Sequence, residues 1–305
     1  KNHAGWNGGA LFTYSKLEVY NSTFDENICD TTTGGGAIGS YNFGSSYNIT
    51  IENCSFKNNK NTASGGNGGA ITALNGGYLN VHGSNFTNNS ADNGLAICAF
   101  NANYPNATGG VPFLQVYNNT FNNHWSNITE NTVQISAGNY TFENNTFINC
   151  YGRSSNTQGS SVYLNSITKA NIVGNKFANI ISNGYDASIY LNSKDGYLIN
   201  NTFINCTNQR TGYSIVYLEG NNYVSGNKFI NASNNMGSIY SQGTMNLLFT
   251  LSNITTNNTN FSITARVSDI DGNNVSLYRY AYVYFYLNGT SLGHSRIINL
   301  SLIHI

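Results

Sequence analysis

Thirteen carboxylates, five histidines and five cysteines are the side chains of this 305-residue sequence best suited to acid–base, metal or nucleophilic chemistry. Glycoside hydrolysis needs two carboxyls at a fixed separation, and a calcium-assisted elimination needs several carboxylate oxygens converging on one ion. The acids that come nearest to such a group are Asp186, Asp195 and Glu219, with Arg153 and Arg210 as cationic neighbours. They read first as isolated solvated charges, because no Asp-Asp pair, Gly-His-Gly or Arg-x-Lys string accompanies them. His3, His82, His124, His294 and His304 are scattered without metal-ligand spacing, and no Gly-x-Ser-x-Gly context marks a nucleophile. Asp269-Ile270-Asp271-Gly272 has the start of a calcium loop, but no acid follows at the distance an EF-hand requires, so it reads as a turn. The sequence therefore assigns no catalytic residue, no cofactor and no metal site.

Binding chemistry has better candidates. Tyr163, Tyr190 and Tyr217 recur at intervals of 27 residues, with Tyr240 following after 23. On a flat exposed face such rings would stack on sugars while their hydroxyls donate hydrogen bonds; buried, they would be a packing column. Exposure decides between the two.

The elements that would position these residues follow from a repeat. Eight segments centre on Phe24, Phe56, Phe86, Phe121, Phe147, Phe177, Phe203 and Phe229, at intervals of 26 to 35 residues. Two places before the Phe, the last five copies carry Asn119, Asn145, Asn175, Asn201 and Asn227. Two places after it, seven of the eight carry Asn, and the first carries Glu26. Between the Phe segments, early copies read Gly-Gly-Ala, as in Gly35-Gly36-Ala37-Ile38, and later ones read like Ser161-Val162-Tyr163-Leu164. Each unit holds short period-2 strands broken by Asn and Gly, with no helical periodicity.

A unit of this size cannot bury its own apolar face, whereas stacking unit on unit does. Phe is then expected to stack on Phe at about 4.8 Å, Asn119, Asn145, Asn175, Asn201 and Asn227 to hydrogen-bond along the axis as a ladder, and Gly to occupy the corners with positive φ. Cys150 and Cys206 share a column two coils apart, roughly 9.6 Å, which is beyond disulfide reach, so they are expected as small core residues.

Composition agrees. The chain holds 56 Asn, 32 Gly and 2 Pro, and 9% of its residues are charged, with Lys+Arg equal to Asp+Glu. Zero net charge excludes electrostatic capture of nucleic acid or anionic lipid as the main activity. An apolar content of 40% is too rich for a disordered chain. No run of 18 apolar residues and no signal peptide are present, which suggests an internal piece of a longer protein. Asn-x-Ser/Thr acceptor sequences such as Asn48-Ile49-Thr50 are numerous, as the Asn content alone would produce.

Gly-Gly-Ala-Ile combined with Phe24-Asp25-Glu26-Asn27, Phe56-Lys57-Asn58-Asn59 and Phe86-Thr87-Asn88-Asn89 resembles the repeat of chlamydial polymorphic outer-membrane proteins. From Phe121 onward the last place of Phe-x-x-Asn is taken by His124, Cys150, Ile180 and Cys206. These later units resemble the broader right-handed β-helix repeat, and Asn-rich chains of this kind are similar to adhesin-like surface proteins of methanogenic archaea. The resemblance spans about residues 1–240 and implies an exported surface protein. Beyond residue 240 the period ends and strands lengthen over 247–252, 261–268 and 280–287. With Asp271-Gly272 and Asn288-Gly289 as turns, this part resembles bacterial immunoglobulin-like repeats, and such a module would also cover the terminal coil.

The expectation is thus an all-β chain: a right-handed parallel β-helix of about eight coils over 1–240, followed by a partial Ig-like β-sandwich over 245–305. The expected function is a non-enzymatic adhesin or stalk at the cell surface, binding an extracellular glycan or protein, with no nucleic-acid partner and no transmembrane segment. The alternatives left open are a carbohydrate-active β-helix enzyme, if Asp186, Asp195 and Glu219 converge, and a pure spacer.

Overall fold

The computed structural model describes residues 1–41, 48–75, 77–100, 113–126, 131–152, 161–184, 186–232, 234, 237–257, 260–277, 282–287 and 290–296. All regular structure among them is β-strand, and the chain winds as a parallel β-solenoid. Eight short strands, from Thr23–Asp25 to Lys228–Ile230, form one sheet in chain order. The eight phenylalanines pair in register along it. Eight rungs span seven turns. Successive rings lie 4.6 to 5.0 Å apart with planes within 12° of parallel. That spacing is the inter-strand distance of a sheet, so identical residues in one column have nowhere to go except onto one another.

A fifteen-stranded sheet forms the opposite wall. Ile38, Ile71, Ile97, Val133, Val162, Ile189, Val216 and Ile239 lie in register in it and are buried. The early Gly-Gly-Ala-Ile copies and the later Ser-Val-Tyr-Leu copies therefore occupy one structural position. A second column, Ile51, Val81, Val116, Phe142, Ile172, Leu198 and Val224, closes the core beside it. All five cysteines are free and buried, as small core residues should be.

The asparagines separate into columns of different physics. Asn119, Asn145, Asn175, Asn201 and Asn227 are buried inside the coil, each Nδ2 donating to the next Oδ1 at 3.0 to 3.1 Å. A second internal ladder joins Asn27, Asn59 and Asn89 at 2.8 and 3.0 Å. The exposed turns use other asparagines: Asn21, Asn53, Asn118, Asn144 and Asn200 before the Phe, and Asn58, Asn88, Asn123, Asn149, Asn179, Asn205 and Asn231 after it, all with φ between 48° and 56°. Asn tolerates this left-handed region better than other side-chain-bearing residues.

The other three copies carry Gly83, Gly174 and Gly226 at the corner before the Phe, with φ of 60°, 65° and 70° as expected, so glycine and asparagine share the corners. The Gly-Gly-Ala glycines answer a different need. A Cβ at Gly36 would lie 2.0 Å from the carbonyl oxygen of Gly69 on the next coil, and one at Gly9 would lie 1.9 Å from that of Gly36. Coils approach here too closely for any side chain. Gly36→Ala is expected to cost about 2 kcal/mol by overpacking, read as a lower urea midpoint with an unchanged slope; an unshifted midpoint would show that the coils can separate freely.

The tail contains two antiparallel hairpins, Leu248–Asn257 with Asn260–Ser268 and Tyr282–Leu287 with Thr290–Arg296. They form separate two-stranded sheets, and among the described residues no Ig-like sandwich is found. Asn288-Gly289 lies outside the described residues. Between the hairpins the chain returns to the solenoid: Val275–Leu277 pairs in parallel with Ile239–Ser241. The Asp271-Gly272 turn is present, with Gly272 at φ 82°. Asp269 holds it by accepting hydrogen bonds from the backbone of Asp271 and Asn273 and from Asn273 Nδ2. Asn273 Nδ2 also donates to the carbonyl of Asn227, the last internal rung. The turn thereby contacts the end of the ladder.

Candidate functional site

The tyrosine column stands where its spacing placed it, in register across four coils. Tyr163, Tyr190 and Tyr217 stack at 4.9 and 5.3 Å. Tyr190 and Tyr217 are only 3% and 9% exposed, and Tyr163 is half-buried. Both faces of the Tyr190 ring are covered by its neighbours, and its hydroxyl donates to Glu219 at 3.0 Å. Burial, the adjacent carboxylate and that hydrogen bond together raise its pKa. A sugar has no access to this ring, so the geometry favours the packing reading.

Asp195 and Glu219 do not converge. Glu219 lies opposite Asn192 in register and is held by Tyr190, while Asp195 sits three residues further along the strand and is exposed. Asp186 lies nine residues before Asp195 on that strand, opposite Ser214. Its side chain and Arg153 lie outside the described residues. Arg210 is placed over the ring of Tyr213, 4.8 Å from its centre, a cation–π contact. No group of three His, Cys, Asp or Glu able to hold a metal ion occurs among the described residues.

Stacking of coils does create two polar groups that the linear sequence conceals. His3 Nε2 is 2.6 Å from Asp30 Oδ2, and the Thr62 hydroxyl donates to Oδ1 of the same carboxylate. These bonds, the hydroxyl's first, hold Asp30 below its ordinary pKa. In a hydrolytic triad the imidazole stands between acid and hydroxyl; here the acid stands in the middle, so no nucleophile is activated. The second group is a column four places before the Phe. His82 stacks on Tyr117 at 4.7 Å and lies 3.5 Å from Glu52, with Glu143 paired to Tyr117 beyond it. Three coils separate Glu52 from Glu143, roughly 14 Å at 4.8 Å per strand, too far for the paired carboxyls of a glycosidase. Aligning the repeats on Phe would have shown this column.

The buried thiols are poor nucleophiles. Burial pushes Cys150 and Cys206 up to about 11 and Cys98 to about 12.

What remains is a seam between the coils of Phe86 and Phe121. The inner ladder ends there, Asn89 Nδ2 meeting His124 Nε2 at 3.5 Å in place of another amide. The third, narrow sheet is divided at the same level into His3–Ala4, Ile28–Cys29 and Lys60–Asn61 on one side and Trp125–Ser126, Tyr151–Gly152, Ile181–Ser182 and Thr207–Asn208 on the other. The outer corner ladder is interrupted too. Asn88 donates to Asn58 at 2.8 Å, and Asn149, Asn179, Asn205 and Asn231 each donate to the preceding rung at 3.1 to 3.3 Å. Asn123 makes no such bond to Asn88. A groove opens at this point, lined by Asn58, Thr87, Asn88, Asn123, Trp125 and Asn149. Trp125 is 56% exposed. In the sequence its one signal is a Trp four places after the Phe, where other copies carry Ile28, Lys60, Ser90, Tyr151, Ile181 or Thr207.

No family model, curated protein or solved structure matches the chain.

Proposed function

We propose that this chain is a non-enzymatic adhesin or stalk segment of a cell-surface protein, a right-handed parallel β-helix that presents a ligand-binding surface to a glycan or protein outside the cell. The observation that carries the reading is the continuity of the stacked columns through eight rungs. It makes a self-supporting rod whose interior asparagines are tied along the axis by ladders. Right-handed winding is the hand that parallel strands in one sheet adopt. The hairpins after residue 247 would be the visible part of an Ig-like module, and an extracellular location agrees with a surface built from amides and hydroxyls in place of charge. No helix of the described residues is long and apolar enough to cross a membrane.

The test pairs two assays on one preparation. Binding to intact cells and to a glycan array is expected, with no release of reducing ends or unsaturated products from polysaccharides. Cleavage of any polysaccharide would move the chain to the carbohydrate-active β-helix reading, and the spread of Asp195 and Glu219 argues against it.

A further inference from the structure

We infer that the seam groove at Trp125 is a binding site for an uncharged, hydroxyl-rich polysaccharide chain lying along the solenoid axis. The inference rests on the adhesin reading and narrows it to one site and one ligand class. Two independent features coincide at the groove. The corner ladder, which ties each amide to its neighbour in the later coils, stops between Asn88 and Asn123. Among the described residues, Asn88 Oδ1 and Asn123 Nδ2 have no protein partner, so one acceptor and one donor face the groove. Beside them Trp125 presents an exposed aromatic face and an indole N–H.

A flat apolar ring next to neutral amide donors and acceptors matches a sugar, which has an apolar face and hydroxyls at its edge. Each amide can accept from one hydroxyl and donate to another, replacing the missing rung. Every lining side chain is uncharged. An acidic polysaccharide or a nucleic acid would find no paired cation there; Lys57, which neighbours Thr87 in register, stands outside the lining. The rungs repeat along the axis at the strand spacing of about 4.8 Å. A ligand bridging Asn58, Asn88, Asn123 and Asn149 must therefore be extended and repeating, as a linear polysaccharide is.

Tryptophan fluorescence reads the site directly, since Trp6 and Trp125 are the only two tryptophans. The Trp6→Phe protein, reporting Trp125 alone, is titrated with a mixed-linkage β-glucan, a mannan, a galactan and an arabinan, with polygalacturonate and heparin as charged probes. The expected result is a saturable emission change with at least one neutral chain and none with the charged ones. In a pull-down on that chain, Trp125→Ala should weaken binding at least tenfold and Asn123→Gly about threefold, with the melting curve of Trp125→Ala unchanged because its side chain is exposed, and glycine keeping the positive φ of position 123 without strain. Neutral-chain binding that survives Trp125→Ala overturns this site and leaves the adhesin reading standing. Cell attachment without binding to any neutral chain overturns the ligand class in favour of a protein. Stronger binding to the acidic probes also overturns it. Absence of both cell and polysaccharide binding overturns the site and the adhesin reading together.

Discussion

Asn145→Ala is expected to destabilise the solenoid by about 4 kcal/mol. Its Oδ1 accepts from the backbone N and the Nδ2 of Asn119, both at 3.1 Å, and its Nδ2 donates to the carbonyl of Val116 at 2.8 Å and to Asn175 Oδ1 at 3.0 Å. Alanine leaves the Asn119 N–H buried without a partner, at about 1–3 kcal/mol, and removes the side-chain bonds to the Val116 carbonyl and to Asn175 Oδ1, each worth about 1 kcal/mol. Asn119 Nδ2 keeps its bond to Val81, and Asn175 Oδ1 keeps the one from the Asn145 backbone, so the damage stays local. Asn145→Asp is the sharper variant. It preserves shape and acceptors but cannot donate, and it sets a carboxylate against Asn175 Oδ1 in the core. Its stability should recover in part as pH falls and the carboxyl takes up a proton. Urea denaturation at pH 7 and pH 4 measures both. A loss below about 1 kcal/mol for the alanine variant would mean that the ladder aligns the coils without holding them.

The second large effect is acid sensitivity at the seam. His124 is fully buried, its Nδ1 has no partner, and burial lowers its pKa to about 3. The unfolded chain, with a histidine near 6.5, takes up this proton first. Stability contributed by neutral His124 is complete above about pH 6.5 and falls as pH drops toward 3. Between pH 7 and pH 4 the loss amounts to about 3 kcal/mol. His124→Asn should remove this slope, because a neutral amide can receive the Asn89 Nδ2 hydrogen bond and extend the inner ladder by one rung. Asp269, raised by its burial, acts with the opposite sign and gains stability as pH falls through its pKa. It is common to both proteins, so the difference between their pH profiles isolates His124. Parallel profiles would show that the imidazole is already solvated in the native state.

The ladder and the seam also show how far the sequence could be read. The phenylalanine column and the Asn119 to Asn227 ladder were legible because a solenoid converts a fixed interval in the chain into contact in space. The burial of Cys150 and Cys206 was legible for the same reason. Asparagine alone did not say which copies turn inward as rungs and which take positive φ at a corner, since one residue type satisfies both environments. Glycine divides in the same way: Gly83, Gly174 and Gly226 take a corner, whereas Gly36 is demanded by a carbonyl on the next coil.

By itself the sequence determined the stack, its period and the identity of its interior columns, because those depend only on what lies one repeat away. Tertiary structure decided everything that depends on what lies across or above a column. It buried Tyr190 and Tyr217, spread the acids that could have formed a site, and brought Asn273 onto the last ladder rung. At one level it also parted the third sheet and the corner ladder together, leaving Trp125 beside two amides that make no side-chain bond to each other. Column identity is a local property of the repeat. Exposure is set by the packing of neighbouring elements, and no single column of the sequence records it.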